Sequence, residues 1–397
     1  MKYSEIIEKY VNGELEPEKA EQVENEIEKH EAIADYIAER DEKELSGLSL
    51  GSEAEPEGEA QDLTKRIKRQ MRRAFIKAGL ITGAAVLGAV LFIIFALPKL
   101  VSKAYYDPSE KVGTDAYEND VTRLAIDVSV YTELFAPEYV RQRATAEAEG
   151  YGKYSIYIPQ EVSYNGVFRS VTGKIKKNKL TLYDPNVLRM PSANCFETHK
   201  AGVNGAVAYE SGWDFDAEEY LEYFREGQMH AVFVTIEKPM SYDEFSAWCG
   251  ENDVSPYWCA VCSNGYSPVP YNFGFLSNAA VTRSGLTGKL AEKYKYLTQG
   301  QIIPEKVGET LRYDEQTVKA HILDMIGYFA ENPDGFTTLL GEDGNTEYLK
   351  SAMREAAESI EANGFEIYGF MVFADKVEAE RLCGMDGVIW LFNGSVQ

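Results

Sequence analysis

Two cysteines in the segment Trp258-Cys259-Ala260-Val261-Cys262 come nearest, by residue type and spacing, to a catalytic motif. Such a pair exchanges thiols with disulfides when its first cysteine lies exposed at the start of a helix, where the thiol pKa falls. The surroundings of Cys259 and Cys262 are instead typical of a strand, in which residues three positions apart point to opposite faces. We therefore expect two structural thiols, and a membrane-tethered thiol oxidoreductase is the less favoured interpretation.

Other residues that could bind a metal or act as nucleophiles are scattered. The chain has five cysteines, an odd number, so the sequence implies no complete disulfide framework. Segment 214–219 is acidic but suits a helix cap better than a general acid and base. The histidines lack the spacing of metal ligands, and each is expected to be structural: His30, His199, His230 and His321. We therefore predict that the chain is not an enzyme and holds neither cofactor nor metal.

A long uncharged run at residues 78–97 organises the rest of the chain. It has no strongly polar side chain except Thr82. A helix of this length covers about 30 Å, the thickness of the hydrocarbon core of a bilayer. A buried helix of a soluble protein normally has a polar stripe, whereas this run is apolar on every side. The sequence therefore predicts a single transmembrane helix over 78–97.

Charges on the two sides of the run predict its orientation. The basic juxtamembrane segment 65–77 precedes it, whereas only Lys99 and Lys103 closely follow it. Because cationic excess stays in the cytoplasm, residues 1–77 are expected inside and 98–397 outside. The predicted membrane-interface residues are Arg69, Arg72, Arg73 and Lys77 before the helix and Tyr105 and Tyr106 after it. The arginine pair is also similar to a twin-arginine export motif, but a basic stop cluster at the membrane face is the favoured interpretation, and either one leaves the carboxy-terminal part outside.

The residue pattern before the membrane segment predicts a small helical head at 1–45. Apolar residues recur at spacings of three and four, and Glu16-Pro17-Glu18 is typical of a helix start. Helices this short bury too little surface to be stable alone, which indicates a protein partner. Residues 46–64 are rich in Gly, Ser, Glu and Pro and predict a disordered linker.

Two sets of segments carry a resemblance to known families. The segment Tyr10-Val11-Asn12-Gly13-Glu14-Leu15-Glu16-Pro17-Glu18, with the helix after it, resembles the amino-terminal domain of membrane-bound anti-sigma factors. The exit Tyr105-Tyr106-Asp107-Pro108 and segments 130–137, 150–159 and 365–373 resemble the sigma factor regulators of Gram-positive bacteria. Zinc-binding anti-sigma factors use one histidine and two cysteines. The corresponding positions here are Glu26, His30 and Ile33, so no zinc is expected.

The resemblance implies a function and a set of partners. A head of this family sequesters an extracytoplasmic-function sigma factor, while the outer part responds to an envelope signal. The residues proposed to contact the sigma factor are Ile7, Tyr10, Leu15, Val23, Ile27 and Tyr36. The net charge of −24 argues against direct nucleic-acid binding and favours a basic protein surface. The expected partners are therefore a sigma factor and membrane lipid, with an envelope ligand or protease that the sequence does not identify.

The outer part predicts mixed α and β structure in two domains, 107–240 and 241–397. Residues 154–158 alternate as a strand, 166–176 and 179–183 form a hairpin about Lys177-Asn178, and 217–224 predicts a helix. An order of strand, helix and strand occurs twice, in 231–262 and again in 366–392, with an amphipathic helix at 348–363 between the copies. The predicted fold class is a small all-α cytosolic head, a single transmembrane helix, and α+β (two-layer α/β) extracytoplasmic domains.

Three classes of function remain open at this point. The anti-sigma factor is the leading hypothesis. An envelope binding or scaffold protein, for which the inner tail would be incidental, is the second. The thiol oxidoreductase that uses Cys259 and Cys262 is the third.

Overall fold

A computed structural model describes most of residues 98–397, which we call the outer part after their predicted location, and little of the predicted head. The described residues are Lys29, Ile33, Tyr36, 57–115, 117–141, 143–183, 195–205, 220–277, 286–297, 313–340 and 346–394. The chain divides into two compact units, 1–86 and 87–397. Most of the predicted head and residues 46–56 of the predicted linker lie outside the described residues, as do 217–219 of the helix predicted at 217–224.

A long helix contains the uncharged run. Helix α1 (Glu57–Leu91) continues through a π-helical turn (Phe92–Ala96) into α2 (Leu97–Lys103). Within the described residues, Arg66–Ala96 is the one helix long and apolar enough to cross a membrane, as its length and composition indicate. This agrees with the prediction of a single membrane helix. Helix α1 already begins at Glu57, inside the predicted linker, because helix-favouring Glu, Ala, Gln and Leu lead into the basic segment.

The first part of the outer region is built on antiparallel strands. After the hairpin of β1 (Lys111–Thr114) and β2 (Asp120–Thr122) comes α3 (Arg123–Phe135), and then a five-stranded sheet. The strands of this sheet are β3 (Tyr139–Arg141), β4 (Thr145–Gly150), β5 (Lys153–Val162), β6 (Phe168–Lys176) and β7 (Lys179–Leu182). Exposed and buried residues alternate along β5, so one face of the sheet packs on the core.

The turn between β6 and β7 confirms the predicted hairpin. Lys177 and Asn178 both have positive φ, 51° and 66°, as a two-residue type I′ turn requires. Residues Lys176 and Lys179 pair directly across it. Helical structure near the predicted helix at 217–224 is limited, among the described residues, to Tyr220 and Leu221, and the chain then turns.

The second sheet contains both copies of the predicted strand–helix–strand order. The first copy is β8 (His230–Ser241), α4 (Tyr242–Glu251) and β9 (Trp258–Cys262). The strand β10 (Gly274–Leu276) and four helices follow, α5 (Lys289–Lys293), α6 (Glu315–Glu331), α7 (Pro333–Leu340) and α8 (Thr346–Asn363). The second copy is β11 (Glu366–Ala374), α9 (Lys376–Cys383) and β12 (Val388–Asn393). Helix α8 confirms the amphipathic helix predicted at 348–363.

The two copies interlock. The strand order is β10-β9-β11-β8-β12, and every neighbouring pair is antiparallel. Strands β8 and β9 of the first copy therefore lie on either side of β11, while β11 and β12 lie on either side of β8. Without β10 this is the split β-α-β arrangement of ferredoxin-like folds. The structure thus confirms the repeat. It also shows that the two strands of the first copy are separated by a strand of the second, so they do not pair with each other.

Equivalent caps begin the two repeat helices. The Ser241 hydroxyl and the Glu244 side chain form a reciprocal capping box at the start of α4. At the start of α9, the Asp375 carboxylate accepts a hydrogen bond from the Glu378 backbone N–H. Both helices thus begin directly after their strands.

The core covers both faces of the second sheet. One hydrophobic cluster joins the helices to the β5 side of the first sheet and to β8 and β12, and it includes Ile158, Val234 and Leu391. A second, smaller cluster on the opposite face is centred on Trp258 and Phe196. Strand β8 also crosses the predicted limit between residues 240 and 241, so the packed core draws on both predicted outer domains.

Candidate functional site

Of the residues proposed to contact a sigma factor, the structure describes Tyr36 alone. The others, Ile7, Tyr10, Leu15, Val23 and Ile27, lie outside the described residues. Tyr36 is helical and 66% exposed, and Ile33, three residues earlier, is 55% exposed. Positions three apart share a helix face, so these side chains form a small exposed apolar surface. The proposed contact remains a prediction.

The predicted membrane-interface residues fall into two environments. Arg69, Arg72, Arg73 and Lys77 are all exposed on α1. Tyr105 is half-buried, but Tyr106 is 1% exposed and belongs to the core. The side chain of Tyr106 is therefore unavailable to the headgroup layer, where the sequence pattern places it, because its hydroxyl has a buried partner.

That partner is Asp127 on α3, the centre of what we call the exit cluster: Tyr106, Arg123, Asp127, Tyr328 and Gly335. The Tyr106 hydroxyl donates to Asp127 Oδ2 at 2.5 Å, and the Tyr328 hydroxyl donates to Oδ1 at 2.6 Å. The Arg123 guanidinium lies 4.0 Å from Oδ2 and 5.1 Å from the centre of the Tyr106 ring. A Cβ at Gly335 would lie 2.2 Å from Oδ2, so glycine there lets α7 approach the carboxylate.

Burial sets the electrostatics of this cluster. It raises the pKa of Asp127 to about 6, although the two tyrosine hydrogen bonds and Arg123 oppose that rise. Burial also raises the pKa of the Tyr106 hydroxyl, which keeps this group a hydrogen-bond donor. The carboxylate thus changes its charge near pH 6, at the point where the membrane exit meets the core.

A second buried pair lies farther along α3. Glu133 Oε1 accepts hydrogen bonds from His321 Nε2 at 2.8 Å and from the Leu276 backbone N–H at 3.1 Å. The other ring nitrogen of His321 lies 2.5 Å from the Tyr296 carbonyl oxygen. Both of its partners are acceptors, so the ring satisfies both only when it is doubly protonated. Burial lowers the pKa of His321, but Glu133 outweighs it and holds the pKa above its usual value.

A third group of buried charges follows α3. Arg141 is fully buried, and its Nε donates to Gln160 Oε1 at 2.7 Å while its Nη1 donates to Thr132 Oγ1 at 3.3 Å. Glu138 is 4% exposed, and burial raises its pKa to about 7, opposed in part by Arg141. These contacts fix the end of α3 against the first sheet.

Together the contacts make α3 the element that joins the membrane exit to the second sheet. Asp127 and Glu133 connect α3 to α6 at two points, through Tyr328 and His321. The Trp258 indole N–H of β9 donates to the Glu133 backbone oxygen at 2.6 Å. A displacement of the second sheet or of α6 would therefore reach the exit segment through hydrogen bonds as well as through apolar packing.

The cysteine pair has the geometry expected from its strand. Cys259 packs in the cluster on the helical side of the second sheet, while Cys262 packs in the cluster on the opposite face. Both thiols are buried, and burial raises the pKa of each above its usual value. The prediction that the two cysteines point to opposite faces is confirmed. Among the described residues, no group of three or more His, Cys, Asp or Glu side chains could hold a metal ion.

Sequence reasoning missed the exit cluster. Asp127 stands in the mostly apolar segment Leu124–Phe135, and no local motif links it to Tyr106 or Tyr328. A usable signal was present nevertheless, because Asp127 and Glu133 interrupt an otherwise apolar helix. Buried charges are seldom found without a partner.

The carboxy-terminal part of the chain matches a known protein family. Residues 221–388 match the family of the sigma factor regulator C-terminal domain. The match extends from just before β8 to the first residue of β12, and so includes most of the interlocked sheet and the helices inserted in it. No curated protein and no solved structure matches the chain.

The carboxy-terminal part of this chain, residues 221–388, is therefore similar to the sigma factor regulators. The predicted resemblance is confirmed for its carboxy-terminal part. A domain of this kind points to regulation of a sigma factor, and the helix Arg66–Ala96 on the same chain indicates a single-pass membrane protein.

Proposed function

We propose that this chain is a single-pass membrane anti-sigma factor. Its head, residues 1–45, binds an extracytoplasmic-function sigma factor in the cytoplasm, and its outer part responds to an envelope signal. The observation that carries the proposal is the match of the sigma factor regulator domain on a chain that also has one candidate membrane helix. The acidic composition supports it, because opposite charge would speed capture of a basic sigma surface.

The exit cluster supplies a route for the signal. A ligand or force acting on the outer part would change the packing of α6 or of the second sheet. Through Asp127, that change would reach Tyr106, eleven residues beyond Phe95 in the apolar helix. The helix and the head would then follow, and the sigma factor would be released. A conformational change and cleavage of the anchor are both compatible with this route.

Capture of the sigma factor is tested on the full chain. The detergent-solubilised protein, co-expressed with one candidate sigma factor at a time, is expected to retain its cognate sigma factor and to lose it as salt rises. Tyr36→Asp should weaken retention at least tenfold, because it places a charge on the exposed apolar surface of Tyr36 and Ile33. Lys29→Gln, at another described helical position, is the control and should have little effect.

Failure of every sigma factor to bind would contradict the proposal. A second test then separates it from the scaffold hypothesis, because deletion of residues 1–64 leaves a scaffold's envelope phenotype intact. For an anti-sigma factor, the same deletion should switch on sigma-dependent transcription.

The route through the exit cluster has its own test. Tyr106→Phe removes only the hydroxyl that donates to Asp127, and we expect it to shift the basal output of a sigma-dependent reporter. Tyr105→Phe removes a hydroxyl from the neighbouring half-buried tyrosine and should leave the output unchanged. Equal outputs from the two variants would remove the exit cluster from the signalling route without affecting sigma capture.

A further inference from the structure

Two tight turns lie side by side at one end of the first sheet. Tyr151 and Gly152 connect β4 to β5, with φ of 54° and 70°, and Lys177-Asn178 connects β6 to β7. The pairing of Lys153 with Lys176 aligns the two turns. Because two-residue turns with positive φ are rigid, this end of the sheet has a fixed shape.

Lysines are concentrated at this end, in what we call the lysine edge. It consists of Lys153, Lys174, Lys176, Lys177 and Lys179, all of them exposed. One of them, Lys174, pairs with Glu149 at 3.0 Å. Such a cluster is unexpected on a chain of net charge −24, which suggests that these lysines bind an anionic partner.

The lysine edge touches the segment that leaves the apolar helix. The Tyr106 backbone N–H donates to Asn178 Oδ1 at 2.8 Å, and Lys177 Nζ lies 5.9 Å from the centre of the Tyr105 ring. On the other turn, the Tyr151 hydroxyl donates to the Ile93 carbonyl oxygen at 3.0 Å. Ile93 lies in the π-helical turn, where the regular helical pattern of backbone bonding is interrupted.

These contacts place the lysine edge beside the carboxy-terminal end of the candidate membrane span. Ile93 lies within Arg66–Ala96, and Tyr105 and Tyr106 follow it closely. Any bilayer around that helix therefore has its headgroup layer beside the two turns. Charges in such a position act on headgroups within a Debye length, about 10 Å at moderate salt.

We propose that the lysine edge binds the anionic phospholipid headgroups of the leaflet at which the helix ends. The phosphates bind the ammonium groups of Lys153, Lys176 and Lys177, and Tyr105 and Tyr151 lie at the same level. This contact holds the outer part against the membrane and fixes the direction in which the exit segment leaves the helix. The occupant is a phospholipid surface, because the lysine edge is continuous with the membrane helix itself.

The full chain in vesicles provides the test. We would reconstitute it in phosphatidylcholine, or in an equal mixture of phosphatidylcholine and phosphatidylglycerol, and label amines with a membrane-impermeant reagent read by mass spectrometry. Labelling of Lys153, Lys176 and Lys177 should fall several-fold in the anionic vesicles and recover at raised salt. Lys238 and Lys295, exposed lysines elsewhere in the outer part, are internal controls and should not change.

Variants test the same contact independently. In the triple variant Lys153→Gln, Lys176→Gln, Lys177→Gln, the anionic lipid should no longer protect Lys179, whereas Lys238→Gln with Lys295→Gln should leave that protection intact. The native chain gives the primary result, so a variant that fails to fold does not decide the question.

Equal labelling of the lysine edge in neutral and anionic vesicles would overturn the proposal. So would protection that is insensitive to salt, or protection that requires an added soluble glycerol-phosphate polymer instead of lipid. None of these outcomes depends on sigma capture, so this inference and the proposed function fail separately.

Discussion

The two helices α1 and α3 differ in a surprising way: the apolar one is exposed, and the one that carries charged side chains is buried. Helix α1 contains most of the candidate span Arg66–Ala96, whose central stretch is almost wholly apolar, yet none of that stretch is buried within the protein. The second carries Asp127 and Glu133, yet eleven of its residues are buried. An exposed apolar helix is stable only if its solvent is apolar, as in a bilayer. A buried helix that carries charged side chains is stable only if the protein supplies partners for those charges.

The largest effect is expected from removing a partner inside the buried helix. Glu133→Ala would leave His321 without its carboxylate and the Leu276 N–H without its acceptor. Breaking a buried pair on one side typically costs about 3–5 kcal/mol, and we expect that loss in the free energy of unfolding measured by denaturant titration of the full chain in detergent.

Glu133→Gln is the matched control. It retains an acceptor oxygen for Leu276 and His321, so its loss should be clearly smaller. A loss below about 1 kcal/mol for the alanine variant would show that the pair contributes little to stability.

The next effect comes from the reverse change, a charge added to the exposed apolar helix. Leu87→Arg places a guanidinium near the centre of the run 78–97, which costs about 3 kcal/mol if that run spans a bilayer. We expect much less of the protein in the membrane fraction after carbonate extraction. Leu87→Ala is the control, and unchanged membrane retention of Leu87→Arg would contradict a spanning helix.

The buried acids predict a pH dependence. The pKa of Asp127, about 6, and that of Glu138, about 7, both lie above their usual values, so the folded chain binds more protons than the unfolded chain between about pH 4.5 and pH 7. Stability should therefore fall as the pH rises through this window. The raised pKa of His321 acts in the same direction, because its contribution is lost as the pH rises through the folded-state pKa.

For Asp127 alone the free energy of unfolding should change by about 1 kcal/mol between pH 5 and pH 8, measured by denaturant titration at each pH. Asp127→Asn should flatten that part of the profile, and Glu138→Gln should flatten a different part, at higher pH. Stability that rises between pH 5 and pH 8 would contradict the assignment of these buried acids.

The last comparison adds one methyl group in each of the two environments. Gly335→Ala forces a Cβ against Asp127 Oδ2 and should cost about 1–3 kcal/mol, because α7 has to move. Gly83→Ala, in the exposed apolar helix, meets nothing within 4 Å and should be close to neutral or slightly stabilising. The same denaturation assay on both variants checks the difference. Similar losses of stability in the two variants would contradict the conclusion that α7 is tightly packed at Gly335 while the apolar helix is free of contacts at Gly83.

Local patterns predicted much of the secondary structure of the outer part. Alternation predicted β5, the Lys177-Asn178 turn predicted the β6–β7 hairpin, and the recurrence of strand, helix and strand predicted both halves of the second sheet. Each of these signals depends on residues close in sequence, which is why it was available without a structure. The opposite faces of Cys259 and Cys262 followed from the same period of two.

Contacts between distant residues were not predictable in this way. The interlocking of the two copies depends on which strands pair, and both neighbours of β11 belong to the first copy. The position of Tyr106 likewise depends on Asp127 and Tyr328, which is 201 residues beyond Asp127. An aromatic residue after a membrane helix usually suits the headgroup layer, but a buried carboxylate that needs donors binds this one instead.

The sequence by itself determined the apolar helix, its basic flank, the α+β character of the outer part and its resemblance to sigma factor regulators. Those properties depend on composition and short periods, which a linear chain displays directly. Only the tertiary structure decided that Asp127 and Glu133 link α3 to α6, and that lysines in and beside two turns gather near the end of the candidate membrane helix. The physical reason is that buried charges and surface clusters are defined by neighbours in space, which folding selects from residues far apart in the chain.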